Sequence, residues 1–211
     1  MKDWRLIYII FAKSEDKLYI SNKNRQAYFV LLSVCIIFVR INLKNCNVMF
    51  DKETYVQRRA LLKKNIGSGV LLFLGNDEQG LNYEDNAFRY RQDSTFLYYF
   101  GLSFAGLSAI IDIDEDKEII FGDELTIDHI VWMGTQPTLK EKSERVGIRE
   151  TLPSAGIISY LHKAVQKGQT VHYLPPYRPE HKLKLMDWLG IPPARQEGSV
   201  PFIRAVVAQR N

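Results

Sequence analysis

Residues 88–102 read Phe-Arg-Tyr-Arg-Gln-Asp-Ser-Thr-Phe-Leu-Tyr-Tyr-Phe-Gly-Leu, and the two halves of that run are chemically unlike. Through Asp93 it packs cations, an amide and a carboxylate into a few positions. After Asp93 it is almost wholly aromatic and apolar until it stops at Gly101. Ser94 is placed to cap a short helix by accepting from backbone N–H groups two or three residues on. Phe96, Tyr99 and Phe100 then share one face at i, i+3, i+4 spacing. Gly101 can adopt the left-handed conformation that ends a helix. A charged loop therefore leads into a short aromatic helix that has to be buried. Its aromatic side chains are read as core packing rather than substrate contacts.

A chain of 211 residues suits one ordinary domain with an addition, or two small ones. Hydrophobic content of 46% is that of a globular protein and excludes general disorder. The net charge of +4 is mild, and the basic residues alternate with acids instead of forming a stripe. Nucleic-acid binding is therefore not expected. The two cysteines, Cys35 and Cys46, make no disulfide framework. The chain from residue 49 onward is cysteine-free, which fits a reducing cytoplasm.

Residues 1–48 differ from the rest, with no glycine or proline and an apolar run over 27–39. A membrane-spanning helix needs about 20 apolar residues, more than this run has. No small-x-small cleavage site follows, because Arg40, Lys44 and Asn45 come instead. Three readings stand: a short membrane anchor, an extra buried strand or helix, or a segment not native to the folded protein. The third is preferred, and a membrane partner is not expected.

From residue 49 the pattern alternates. A helix is expected over 51–65, with Asp51 as N-cap, Lys63 and Lys64 in the last turn, and Tyr55, Arg59 and Leu62 near one face. Arg58 and Arg59 are read as solvated helix charges. Strands are expected over 70–74, 107–112, 118–121 and 171–174, the first as a short continuous apolar run. Asp112 and Asp114 flank a hairpin tip and are read as solvated, not metal-binding. Further helices are expected over 125–132, 139–145 (polar and exposed), 153–167 and 178–189, the last with Leu183, Met186 and Leu189 inward. Strands alternating with helices argue for one α/β domain, a mixed β-sheet flanked by helices.

Catalytic signatures fail one after another. His129, His162, His172 and His181 form no H-E-x-x-H or H-x-H arrangement, and each is read as a surface or half-buried histidine. There is no G-x-S-x-G elbow, P-loop or dinucleotide fingerprint.

The 88–102 run resembles the signature of the amino-terminal domain of the aminopeptidase P and prolidase family, the creatinase or "pita-bread" peptidases. That pattern is close to Tyr-x-x-Arg-Gln-(Asp/Asn/Glu)-Ser-x-Phe-x-Tyr-x-(Thr/Phe)-Gly. Arg91, Gln92, Asp93, Ser94, Phe96, Tyr98 and Gly101 match it as they stand. Two more segments agree in order and spacing: Ile-Val-Trp-Met-Gly over 130–134, and Val-His-Tyr-Leu-Pro-Pro-Tyr over 171–177.

The resemblance implies a creatinase-type, ribonuclease H-like amino-terminal domain over 49–200, with 201–211 beginning a junction toward a catalytic domain. It also implies that the chemistry lies in that following domain. There, two Asp, one His and two Glu hold a pair of metal ions, manganese or cobalt, that activate water against the bond before proline. The parent protein would be an Xaa-Pro aminopeptidase acting on proline-containing peptides, assembled as a homo-oligomer. Prolidase, or a non-catalytic binding module, are the alternatives. The front domain itself would hold no metal and shape the active-site mouth. Its rim candidates are Asp85, Arg91 and Trp132. For Arg91 a structural ion pair with Asp93 or another acid is the preferred reading.

Overall fold

The computed structural model describes residues 49–83, 86–124, 131, 134 and 136–210. The expectations for residues 1–48 lie outside these, and the helix expected over 125–132 falls almost wholly outside them. Five strands form one mixed sheet: β1 (Val70–Leu74), β2 (Ser108–Asp112), β3 (Lys117–Phe121), β4 (Glu150–Leu152) and β5 (Val171–Tyr173). Their spatial order is β4-β3-β2-β1-β5. β1, β2 and β3 pair antiparallel, whereas β4 joins β3 and β5 joins β1 in parallel. The four expected strands are present, and β4 is an addition. Its sequence, Glu-Thr-Leu, is too short and polar to announce a strand.

Helices cover both faces, which is why the central strands are apolar without alternation. On one face lie α1 (Lys52–Ile66), α2 (Ser94–Phe100) and α6 (Val200–Arg210). There Leu71 and Phe73 of β1 meet Tyr55, Phe96, Phe100 and Phe202. On the other face α4 (Gly156–Gln166) and α5 (Pro179–Leu189) cover Val70, Leu72 and Ile110 with Ile157, Leu161 and Leu185. A short helix α3 (Leu139–Glu144) opens with a Thr138–Glu141 capping box. α3 is less exposed than its polar sequence suggests, because Leu139 and Ser143 are buried. Residues 201–211, read as the start of a junction, mostly belong to α6, and Phe202 is fully buried.

Several local expectations change. α2 is capped by Asp93, not Ser94: its carboxylate accepts from the N–H groups of Thr95 and Phe96. An ionised cap at a helix start gains from the helix dipole as well as the hydrogen bonds. α5 turns a different face inward. His181 and Leu185 are buried, while Leu183 and Met186 are exposed. Apolar residues are spread around this helix, so 181/185/189 and 183/186 were both possible faces. Arg59 is not a solvated charge but is fully buried on α1 beside Tyr55 and Leu62. Asp112 is also buried, accepting from Tyr160 Oη at 2.8 Å and Gln169 Nε2 at 3.0 Å, while Asp114 stays exposed.

Gly101 ends α2 at φ 64°, the left-handed region. A Cβ there would sit 2.4 Å from the Tyr55 ring. Strain and overlap act together, so Gly101→Ala is expected to cost roughly 1–3 kcal/mol. A urea midpoint unchanged from the parent chain would contradict this.

Candidate functional site

The charged half of the signature is spent on joining loops. Gln92 is 2% exposed. Its Oε1 accepts from the backbone N–H of Asn76 at 2.7 Å and of Asp93 at 2.9 Å, and its Nε2 donates to Phe104 O at 2.9 Å. Asn76 in turn donates through Nδ2 to Arg91 O at 2.8 Å. Tyr90 Oη lies 2.8 Å from the same Phe104 carbonyl, and burial raises its phenol pKa above the ordinary value. The backbone closes tightly here: a Cβ on Gly75 would lie 2.5 Å from Leu107 O. One amide thus fixes three separate stretches, which a buried side chain with both donors and acceptors can do.

Asp93 divides its two oxygens between tasks. Oδ1 accepts from Thr95 N at 2.8 Å and Phe96 N at 2.9 Å, while Oδ2 accepts from Tyr177 Oη at 3.2 Å. Asp93 also lines a cavity of about 40 Å³ where β1 and β5 part. The parallel register ends at Leu72–Tyr173, and Pro175 and Pro176, which lack N–H donors, turn the chain away. Phe73, Leu174 and Pro175 form apolar walls, and Asp93, Tyr177 and His181 supply polar groups.

His181, expected at the surface or half-buried, is only 4% exposed. Its Nε2 lies 3.1 Å from Gly75 O, so a proton belongs on that nitrogen and leaves Nδ1 as an acceptor. Burial lowers its pKa from the ordinary histidine value, keeping the ring neutral. Tyr177 meets the ring edge-on at 5.9 Å. In the middle of β5, His172 Nδ1 lies 2.6 Å from Ser199 Oγ, tying the edge strand to the start of α6. Burial lowers the pKa of His172 as well.

Of the three rim candidates, Asp85 and Trp132 lie outside the described residues. Arg91 is exposed and makes no salt bridge among the described residues, so the pair with Asp93 is not formed. Asp93 is committed to the α2 cap instead. What the sequence did not reveal is the grouping of Asp93, Tyr177 and His181. Asp93 and Tyr177 stand 84 positions apart and carry no shared local motif.

A mixed sheet covered on both faces by helices defines an α/β domain. A family model described as "Aminopeptidase P, N-terminal domain" matches residues 55–173, more than half of the chain. The chain belongs to that family. A probable Xaa-Pro aminopeptidase of Chaetomium globosum is 29% identical over 112 residues, covering 51% of this chain and 18% of that protein. The human Xaa-Pro dipeptidase is 33% identical over 76 residues, covering 35% of this chain and 15% of its own length. Among solved structures, the Pseudomonas aeruginosa aminopeptidase PepP aligns with a TM-score of 0.58 at 21% identity, over 72% of this chain and 35% of that one. A low-pH form of Escherichia coli aminopeptidase P aligns at 0.53 and 16% identity, over 76% and 33%. These likenesses show the fold. The aligned part of the chain spans about a fifth of the curated relatives or less, and about a third of the solved structures.

Proposed function

We propose that this domain is the front part of an Xaa-Pro aminopeptidase, a metal-dependent exopeptidase that cleaves the bond before proline. The observation that carries this reading is the family match over residues 55–173, together with relatives bearing that activity in their names. The domain performs no hydrolysis itself. It helps shape the mouth of the active site and the oligomer, in the cytoplasm, with Asp85, Arg91 and Trp132 as rim residues. In this reading the metal pair, manganese or cobalt, is held by a following catalytic domain. The described residues do not fit such a site, since no three His, Cys, Asp or Glu side chains gather among them. No helix among the described residues is long and apolar enough to cross a membrane.

A second reading has its own support. The 33% identity to the human Xaa-Pro dipeptidase favours a prolidase, which accepts dipeptides only. A non-catalytic binding module is the reading from another class, because a fold hosts functions without dictating them. The coding sequence past Asn211 separates these: two Asp, one His and two Glu ligands there support a peptidase, and a stop codon supports the module. The purified chain, incubated with manganese and an Xaa-Pro-Xaa tripeptide, is expected to release no product above a boiled control. Metal-dependent turnover by this chain alone would overturn the assignment of chemistry elsewhere.

A further inference from the structure

We propose that the cavity between the ends of β1 and β5 is a binding site for a primary alkylammonium group. Its place is beyond the carboxyl ends of the parallel pair β1 and β5, where the chain leaves the sheet through Pro175 and Pro176. The inference does not depend on the peptidase reading, because no step of peptide cleavage enters it.

The polar lining can accept hydrogen bonds from a cation on several sides. Asp93 Oδ2 has only the hydroxyl of Tyr177, at a long 3.2 Å. His181 donates through Nε2 to Gly75 O, which leaves Nδ1 with an acceptor lone pair. The Tyr177 hydroxyl can rotate to accept. Asp93 Oδ1 is held by the α2 N–H groups and the helix dipole, and no salt bridge to Asp93 exists among the described residues. The nearby ammonium of Lys184 is taken by Asp77 at 2.7 Å. Arg210 Nη1 reaches the lining only at Thr95 Oγ1, at 3.2 Å. Arg178 borders the site, 5.9 Å from the Tyr177 ring centroid, and among the described residues no cation is bonded to Asp93 Oδ2.

Walls and size select the rest of the ligand. Phe73, Leu174 and Pro175 suit an aliphatic stem. A volume of about 40 Å³ suits an ammonium head and a few methylenes rather than a folded segment. A carboxylate would be repelled by Asp93, and a neutral alkyl group would leave that charge dry. A free aliphatic amine and a lysine side chain share this chemistry.

The test uses the full chain, with amide chemical shifts of Thr95, Phe96 and Leu174 followed by NMR. n-Butylammonium and N-acetyl-lysine amide are titrated at constant ionic strength, with butyrate and n-butanol as controls. Saturable shifts with either amine are expected at a Kd on the order of millimolar, the range open to so small a ligand. Tighter binding of the lysine derivative assigns the site to a protein or peptide lysine, and tighter binding of butylammonium assigns it to a free amine. Both results support the site. Asp93→Asn preserves a good helix cap while removing the charge, and is expected to weaken binding about tenfold. Should that variant lose its fold, Leu174→Phe, which fills the cavity and leaves Asp93 in place, is expected to abolish the shifts. Equal shifts from n-butanol, no saturable shift with either amine, or unchanged binding in both variants would overturn the proposal.

Discussion

Arg59→Ala is expected to lower stability by roughly 3–5 kcal/mol, the cost of removing one partner from a buried ion pair. That is a large share of the roughly 5–15 kcal/mol that holds an ordinary domain together. The guanidinium is fully buried, and each of its three nitrogens has a separate acceptor. Nε donates to Glu118 Oε2 at 2.7 Å, Nη1 to Tyr99 O at 2.9 Å and Nη2 to Val146 O at 3.0 Å. Burial lowers the pKa of Arg59, and the Glu118 carboxylate opposes that shift. Alanine would leave Glu118 Oε2 and two buried carbonyls without their donor, with Lys63 at 3.1 Å still paired to the carboxylate's other oxygen. Lysine cannot reproduce the three-way fork, so Arg59→Lys should recover only part of the loss. Pairing Arg59→Met with Glu118→Gln removes both charges and should be milder than Arg59→Ala alone. Chemical denaturation of these variants checks the order. A loss under about 1 kcal/mol for Arg59→Ala would place the residue among ordinary surface charges.

Ending the chain at Ser199 is expected to abolish cooperative unfolding near room temperature. α6 contributes Phe202, Ala205 and Val206 to the core on the face of α1 and α2. Phe202 meets Phe73 of β1 edge-on at 5.1 Å, so its loss opens the sheet itself to water. Gln209 accepts both tyrosine hydroxyls of the signature helix, Tyr98 through its carbonyl and Tyr99 through Oε1, each at 2.9 Å. Each large apolar side chain is worth roughly 1.5–3 kcal/mol of burial, and a deletion leaves a void besides. The sum approaches the whole margin of a domain this size. A shortened chain that melts as sharply and as late as the parent would refute the placement of α6 in the core. The result also bears on where the domain ends, since the family match stops at residue 173.

The parts of this fold that were legible in the sequence are those in which local chemistry and tertiary burial agree. β1 is a continuous apolar run because helices cover both sheet faces, and that run is visible without a structure. The αL stop at Gly101 and the buried face of Phe96, Tyr99 and Phe100 were equally plain. Illegible were features decided by distant partners. Arg59 looked solvated because nothing near it in sequence shows Glu118 and two carbonyls waiting across the fold. α5 had two plausible apolar faces, and only the packing against the sheet chooses between them. The cavity group was hidden for the same reason. Asp93 was visible as part of a signature, but its exchange with Tyr177 depends on where two prolines turn the chain after β5.

The lengths of the strands bear on how the protein avoids sticking to itself. The long apolar strands β1, β2 and β3 occupy the interior of the sheet. Both border strands, β4 and β5, have only three residues. One opens with an exposed glutamate, and the other runs into two prolines. A neighbouring molecule in search of free backbone groups finds a short ladder at either border, interrupted where it would extend. The segments most prone to amyloid-like stacking are thus kept away from intermolecular pairing for as long as the sheet is intact.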